Sequence, residues 1–169
     1  MPRRVATVAL AAALVAGLTL LTAPAAGATG PGAGGGKVTL LTARLKGANE
    51  VPGPGDPDGR GRAFVRLGGG KACFVLEWSG IGAPMASHIH QGGAGVAGPV
   101  VVPFFDVPEL AGAPTAALPS TIGAAAGCVG AQDPALLRDI RRHPAAYYAN
   151  IHTLEFVPGA IRGQLRRVA

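Results

Sequence analysis

The stretch Arg62–Trp78, RAFVRLGGGKACFVLEW, decides the fold class. Arg62 to Leu67 alternates polar and apolar residues, Gly68-Gly69-Gly70 supplies a turn, and Lys71 to Trp78 runs back. Side chains on a strand point to alternate faces, so this pattern predicts a β-hairpin with one face to bury. The flanking sequence offers more strands to cover it. Upstream, Lys37 to Leu45 (KVTLLTARL) reads as a first strand, and Gly47 to Gly61 as a loop dense in Gly, Pro and Asp.

Downstream, Ser87 to Gln91 is a short strand, and a Gly-rich turn over Gly92 to Gly98 leads into Pro99 to Phe105 (PVVVPFF). Proline cannot donate to a sheet ladder, so Pro103 predicts an edge strand or a bulge. Asp106 to Gly130, rich in Pro, Ala and Gly, reads as an irregular excursion that Cys128 ties back to the sheet. Asp133 as N-cap, Pro134 at the first helical position and Arg141 and Arg142 in the last turn predict one short helix over Ala135 to Arg142. Tyr147 to Thr153 and Ala160 to Val168 read as the last two strands, joined by a turn at Pro158-Gly159. Many short strands and one small helix predict an all-β antiparallel β-sandwich, immunoglobulin-like or superoxide-dismutase-like in outline.

The chain opens Met1-Pro2-Arg3-Arg4, continues through an apolar run from Val5 to Leu21, and reaches Ala26-Gly27-Ala28. Basic start, apolar middle and small-x-small end predict a Sec-type signal peptide over residues 1–28. The Gly-rich residues 29–36 read as a flexible leader, and residues 37–169 as one domain. No second apolar stretch of that length follows, so no transmembrane segment is expected after cleavage. The expected location is secreted and extracellular. There the only two cysteines, Cys73 and Cys128, are most simply a disulfide.

The formal charge of +6 includes Arg3 and Arg4 and falls to +4 without them. Arg138, Arg141, Arg142, Arg162, Arg166 and Arg167 could favour weak association with anionic cell-surface polymers. With few aromatics and no binding motif, the composition gives nucleic acid no support as a partner. Ser87 beside His88 has no nucleophile-elbow context, and Glu77, Asp106, Glu109 and Glu155 show no pairing of the glycosidase kind.

Two strings stand out, Ser87-His88-Ile89-His90-Gln91-Gly92 and Asn150-Ile151-His152-Thr153. His88 and His90 share a strand face, and His152 joins them if its strand lies nearby. Three imidazoles suit Cu or Zn, with an open fourth position and a hydrogen bond from Asn150 to one free ring nitrogen. His143, at the end of the helix and before Pro144, is set aside as a favourable charge on the helix dipole. Against the metal stands a simpler expectation. His88, His90 and His152 with Asn49, Glu50, Asn150, Thr153, Arg162 and Gln164 would form a buried hydrogen-bonded network that holds the strands in register.

Three groups of strings resemble the CHRD domain family, named from chordin and found in many microbial secreted proteins. They are Leu45-Lys46-Gly47-Ala48-Asn49-Glu50-Val51-Pro52; His88-Ile89-His90-Gln91-Gly92 with Gly98-Pro99-Val100-Val101; and Tyr148-Ala149-Asn150-Ile151-His152-Thr153 with Ile161-Arg162-Gly163-Gln164-Leu165. The resemblance implies a β-sandwich in an extracellular setting and says little about activity. The family usually has an acidic residue before the Ile-Arg-Gly-Gln string and an Asn before the Pro-Gly turn. This chain has Ala160 and Val157 there, which leaves Arg162 without an obvious local partner.

The His-x-His string is also similar to the copper-ligand strand of Cu/Zn superoxide dismutases, although the further histidines and the zinc-site Asp of that family have no counterpart. Two functions are therefore expected. The first is a non-enzymatic extracellular binding or structural module with an unidentified partner. The second is a Cu- or Zn-binding protein on His88, His90 and His152, with dismutase-like redox activity as its extreme form.

Overall fold

The computed structural model describes residues 37–107 and 123–168. The signal peptide and leader expected over residues 1–36 lie outside the described residues, as does the middle of the 106–130 excursion. Nine strands are present among the described residues: β1 (Thr39–Lys46), β2 (Arg60–Gly68), β3 (Lys71–Ser79), β4 (Pro84–Gln91), β5 (Val100–Asp106), β6 (Ala124–Val129), β7 (Tyr147–Thr153), β8 (Ile161–Gln164) and β9 (Arg166–Arg167). One α-helix, α1 (Pro134–Arg142), stands between β6 and β7.

All pairings are antiparallel, in the order β5-β4-β7-β8-β1-β2-β3-β6, with β9 beside β1. The all-β class with one short helix is as expected. The strands form one continuous sheet that curls until it is nearly closed. Phe74 of β3 stacks on Phe104 of β5 with centroids 4.6 Å apart, although these strands lie near opposite ends of the order.

The hairpin behaves as its alternation predicts. Ala63, Val65 and Leu67 of β2 and Ala72, Phe74, Leu76 and Trp78 of β3 face the core, while Arg62, Phe64 and Arg66 face out. Ile89, Val102, Ala149, Ile151 and Ile161 complete the core from the other half of the sheet. Each large apolar side chain buried there contributes about 1.5–3 kcal/mol by leaving water. Helix α1 adds Leu137 and Ile140, its N-terminus capped by Asp133 Oδ1, which accepts from the Ala135 amide at 2.8 Å.

Three expectations are corrected. The end of the 106–130 segment is a strand, β6, whose sequence AAAGCV has low β-propensity. It is held by its pairing with β3, where Cys73 lies opposite Cys128 and the two form the disulfide. Closing this 55-residue separation stabilises the fold by about 4 kcal/mol in the chain-entropy model. Second, the single strand expected over Ala160 to Val168 is two, because the chain leaves β7 at the buried Leu165 and continues along β1. Third, Arg162 does not belong to a basic surface, since it is almost wholly buried.

Pro103 does sit on an edge strand. Opposite β4, β5 carries two bulges, at the Ser87/His88 and Ile89/His90 steps. Among the described residues no helix is long and apolar enough to cross a membrane.

Candidate metal centre

Ile89, Ala149 and Ile151 point to the core, so His88, His90, Tyr148, Asn150 and His152 point to the opposite face of β4 and β7. Register places Ala86 opposite His152, His88 opposite Asn150, and His90 opposite Tyr148. Arg162 and Gln164 of β8 lie opposite Asn150 and Tyr148 on the same face. This face is not open to solvent. Loops 92–99 and 154–159 fold over it, and all three histidines are buried.

The three imidazoles meet. Ring centroids are 5.4 Å apart for His88 and His90, 5.0 Å for His88 and His152, and 6.1 Å for His90 and His152. One nitrogen from each ring lies within 4.8 Å of the others. The opposite nitrogen of each ring is held by an oxygen. His88 Nε2 is 2.8 Å from Asp106 Oδ1, His90 Nδ1 is 2.8 Å from the Gly98 carbonyl, and His152 Nδ1 is 2.8 Å from the Val157 carbonyl. Carbonyls and carboxylates only accept, so in a neutral ring each of these nitrogens carries the proton. The remaining nitrogens, His88 Nδ1, His90 Nε2 and His152 Nε2, then turn bare lone pairs toward one another.

Two consequences follow. His88 Nδ1 and His152 Nε2 sit 3.1 Å apart with no proton left to share between neutral rings. His90 Nε2 is buried without a hydrogen-bond partner among the described residues. Burial lowers the pKa of His152 to about 4 and lowers that of His90 as well, so both rings favour the neutral form.

Arg162 and Gln164 secure the loop that orients His90. Arg162 Nη2 donates to the carbonyls of Gly93 and Val96 at 2.8 and 2.9 Å, and Gln164 Nε2 donates to that of Gly92 at 3.0 Å. Asn49 Nδ2 donates to the Arg162 carbonyl at 3.0 Å. At Gly98 the loop presses so closely on β4 that a Cβ would overlap the Gln91 carbonyl oxygen, which requires glycine there. On the other side, Thr153 Oγ1 accepts from the Phe156 amide and shapes the turn that presents Val157.

The structure therefore brings His88, His90 and His152 together and divides the rest of the expected network. Asn49, Arg162 and Gln164 form a clamp on the 92–98 loop, joined to the histidines through Tyr148. Asn150 lies against His90, where its amide favours the charged ring, but its buried Oδ1 has no partner. Among the described residues Glu50 makes no ion pair within 4.0 Å, and its Oε1 is likewise buried and unpartnered. Burial raises its pKa to about 7, against the opposing pull of Arg162. Asp106, Gly98 and Val157 are ring partners that the sequence does not announce. Two of these contacts are backbone carbonyls, which leave no trace in residue identity.

No curated protein matches the chain, and no solved structure matches it. The family model described as the CHRD domain matches residues 41–165, a span that runs from β1 to Leu165 and contains all three histidines, the ring partners and the Arg162 clamp. This chain belongs to the CHRD domain family.

Proposed function

We propose that this CHRD protein is an exported, non-enzymatic module that holds one Cu or Zn ion on His88 Nδ1, His90 Nε2 and His152 Nε2. The observation that carries the reading is the convergence of three ring nitrogens whose opposite nitrogens are all held by oxygens. Metal-ligating histidines are fixed in this way, by a carboxylate or a backbone carbonyl on the other ring nitrogen. A closed hydrogen-bond network would leave no such convergence, because each lone pair would meet a donor.

The fit is also metric. Metal to nitrogen bonds of about 2.0–2.1 Å in a tetrahedral site place ligand nitrogens roughly 3.3 Å apart. The His88 to His152 separation of 3.1 Å is already near that value. The widest separation, at most 4.8 Å, exceeds it by about 1.5 Å, so metal binding requires the rings to move inward. Imidazole suits both metals, and three ligands leave a fourth position for water or a partner's group. Export is supported by the basic, apolar and small-x-small order of residues 1–28 and by the Cys73–Cys128 disulfide.

The test is elemental mass spectrometry of the processed protein, refolded without metal and then dialysed against Cu(II) or Zn(II). The expected result is close to one metal per chain, absent from a variant with His88, His90 and His152 all changed to Ala. No metal in either protein, or equal metal in both, overturns the proposal.

A further inference from the structure

The other half of the sheet has an outer face of different chemistry. Register aligns its outward residues in rows. Leu40, Arg66 and Cys73 form one row, Thr42, Phe64 and Val75 the next, and Arg44, Arg62 and Glu77 the third. Arg166 of β9 lies opposite Thr42, and the Val168 amide reaches the Leu40 carbonyl, which extends the same face beyond β1. At its centre Leu40, Phe64, Val75 and Val168 are all exposed, around a depression of about 370 Å³.

Arginines surround this apolar centre, and a single carboxylate, Glu77, stands opposite Arg62. Arg44 and Arg62 stand directly opposite each other, an arrangement of like charges that costs stability in a sheet. Among the described residues, Arg44, Arg62, Arg66 and Arg166 make no side-chain hydrogen bond, and the ion pairs within 4.0 Å both involve histidine. Glu77 is the one carboxylate in these rows.

We infer that this face docks on an anionic phospholipid surface. Guanidinium groups match phosphate oxygens in geometry and charge, and apolar side chains set among them reach the boundary between headgroups and acyl chains. Each half of the pattern excludes a rival. A soluble polyanion would engage the arginines and leave Leu40, Phe64 and Val75 in water. A second copy stacked on the same face would set arginine against arginine. This surface is separate from the histidine face, and its test does not depend on metal.

The experiment is co-sedimentation of the chain beginning at Thr29, which carries the whole described sheet, with phosphatidylcholine vesicles with and without phosphatidylglycerol. Arg44→Glu with Arg62→Glu, and separately Phe64→Ser, alter exposed side chains outside the core, and circular dichroism checks that each variant is folded. Binding is expected only with phosphatidylglycerol, with partitioning reduced about 100-fold in the double charge reversal and about 10-fold in Phe64→Ser. Absence of binding, or binding that survives the charge reversal, overturns the inference. Binding that Phe64→Ser leaves unchanged and that dextran sulfate abolishes also overturns it, and assigns the face to soluble polyanions instead.

Discussion

The guanidinium carbon of Arg162 lies 3.3 Å from the centroid of the Tyr148 ring, and the same ring stacks on His90 at 4.7 Å with the planes 6° apart. Tyr148 thus stands between a buried cation on β8 and a candidate ligand on β4. Its hydroxyl adds only two long contacts, accepting from the Gly98 amide at 3.3 Å and donating to the Gly98 carbonyl at 3.5 Å. The two faces of the ring therefore contribute more than the hydroxyl does. Tyr148→Phe is expected to stay within about 1 kcal/mol of wild type, and Tyr148→Leu to lose about 2–3 kcal/mol. Urea unfolding of the metal-free protein separates the two. Equal losses in both variants would show that the hydroxyl matters more than the stack.

Arg162 is held by backbone carbonyls and an aromatic face rather than by a carboxylate, which answers the absence of an acidic residue at Ala160. Both bonds leave one terminal nitrogen, Nη2, while the planar guanidinium lies over the Tyr148 ring. Arg162→Lys keeps the charge but loses the flat group on the ring, so a loss of about 2 kcal/mol is expected. Hydrogen exchange locates it. Amides of residues 92–98 should lose protection while those of the β2–β3 hairpin do not, and a uniform loss would refute the local clamp.

Asp106 connects solvent to the histidine cluster, since its side chain is 61% exposed while bonding to His88 Nε2 at 2.8 Å. If the proposed metal binds, the carboxylate fixes the His88 tautomer and strengthens it as a ligand. Asp106→Asn keeps the size and an acceptor but removes the charge. Metal affinity is expected to fall about 10- to 100-fold, with little change in the stability of the metal-free protein. Competition titration against a chelator of known affinity reads this directly, and unchanged affinity would place Asp106 outside the site.

What is legible in the sequence follows from the range over which each signal acts. The period-2 pattern of Arg62–Trp78 is local and predicts both the hairpin and its buried face. The same alternation puts His88 and His90 on one side. His152 reaches them only through the β4–β7 register, a pairing across more than 60 residues that no local pattern encodes. Strand β6 escapes a sequence reading because AAAGCV has no strand signature, and Cys128 is its one clue. The Gly98 and Val157 carbonyls are unreadable for a different reason. Every residue has a carbonyl, and only the fold says where it points.

Glu50 and His152 make opposing contributions to acid stability. The folded-state pKa of Glu50 is raised from 4.5 to about 7, so the folded protein binds the extra proton, and this contribution weakens as pH rises from about 4.5 to 7. The pKa of His152 is lowered from 6.5 to about 4, so the unfolded chain binds the extra proton, and stability is lost as pH falls from 6.5 to 4. His90 acts in the same direction as His152. Between about pH 4.5 and 6.5 the two slopes offset each other in the metal-free protein. Glu50→Gln removes one of them. That variant is expected to be more stable than wild type at pH 8, by about 3 kcal/mol at most, and to weaken steeply below pH 6.5. Denaturant titrations of both proteins in chelator from pH 4 to 8 check the sign, and parallel profiles would show that the Glu50 carboxyl titrates normally in the fold.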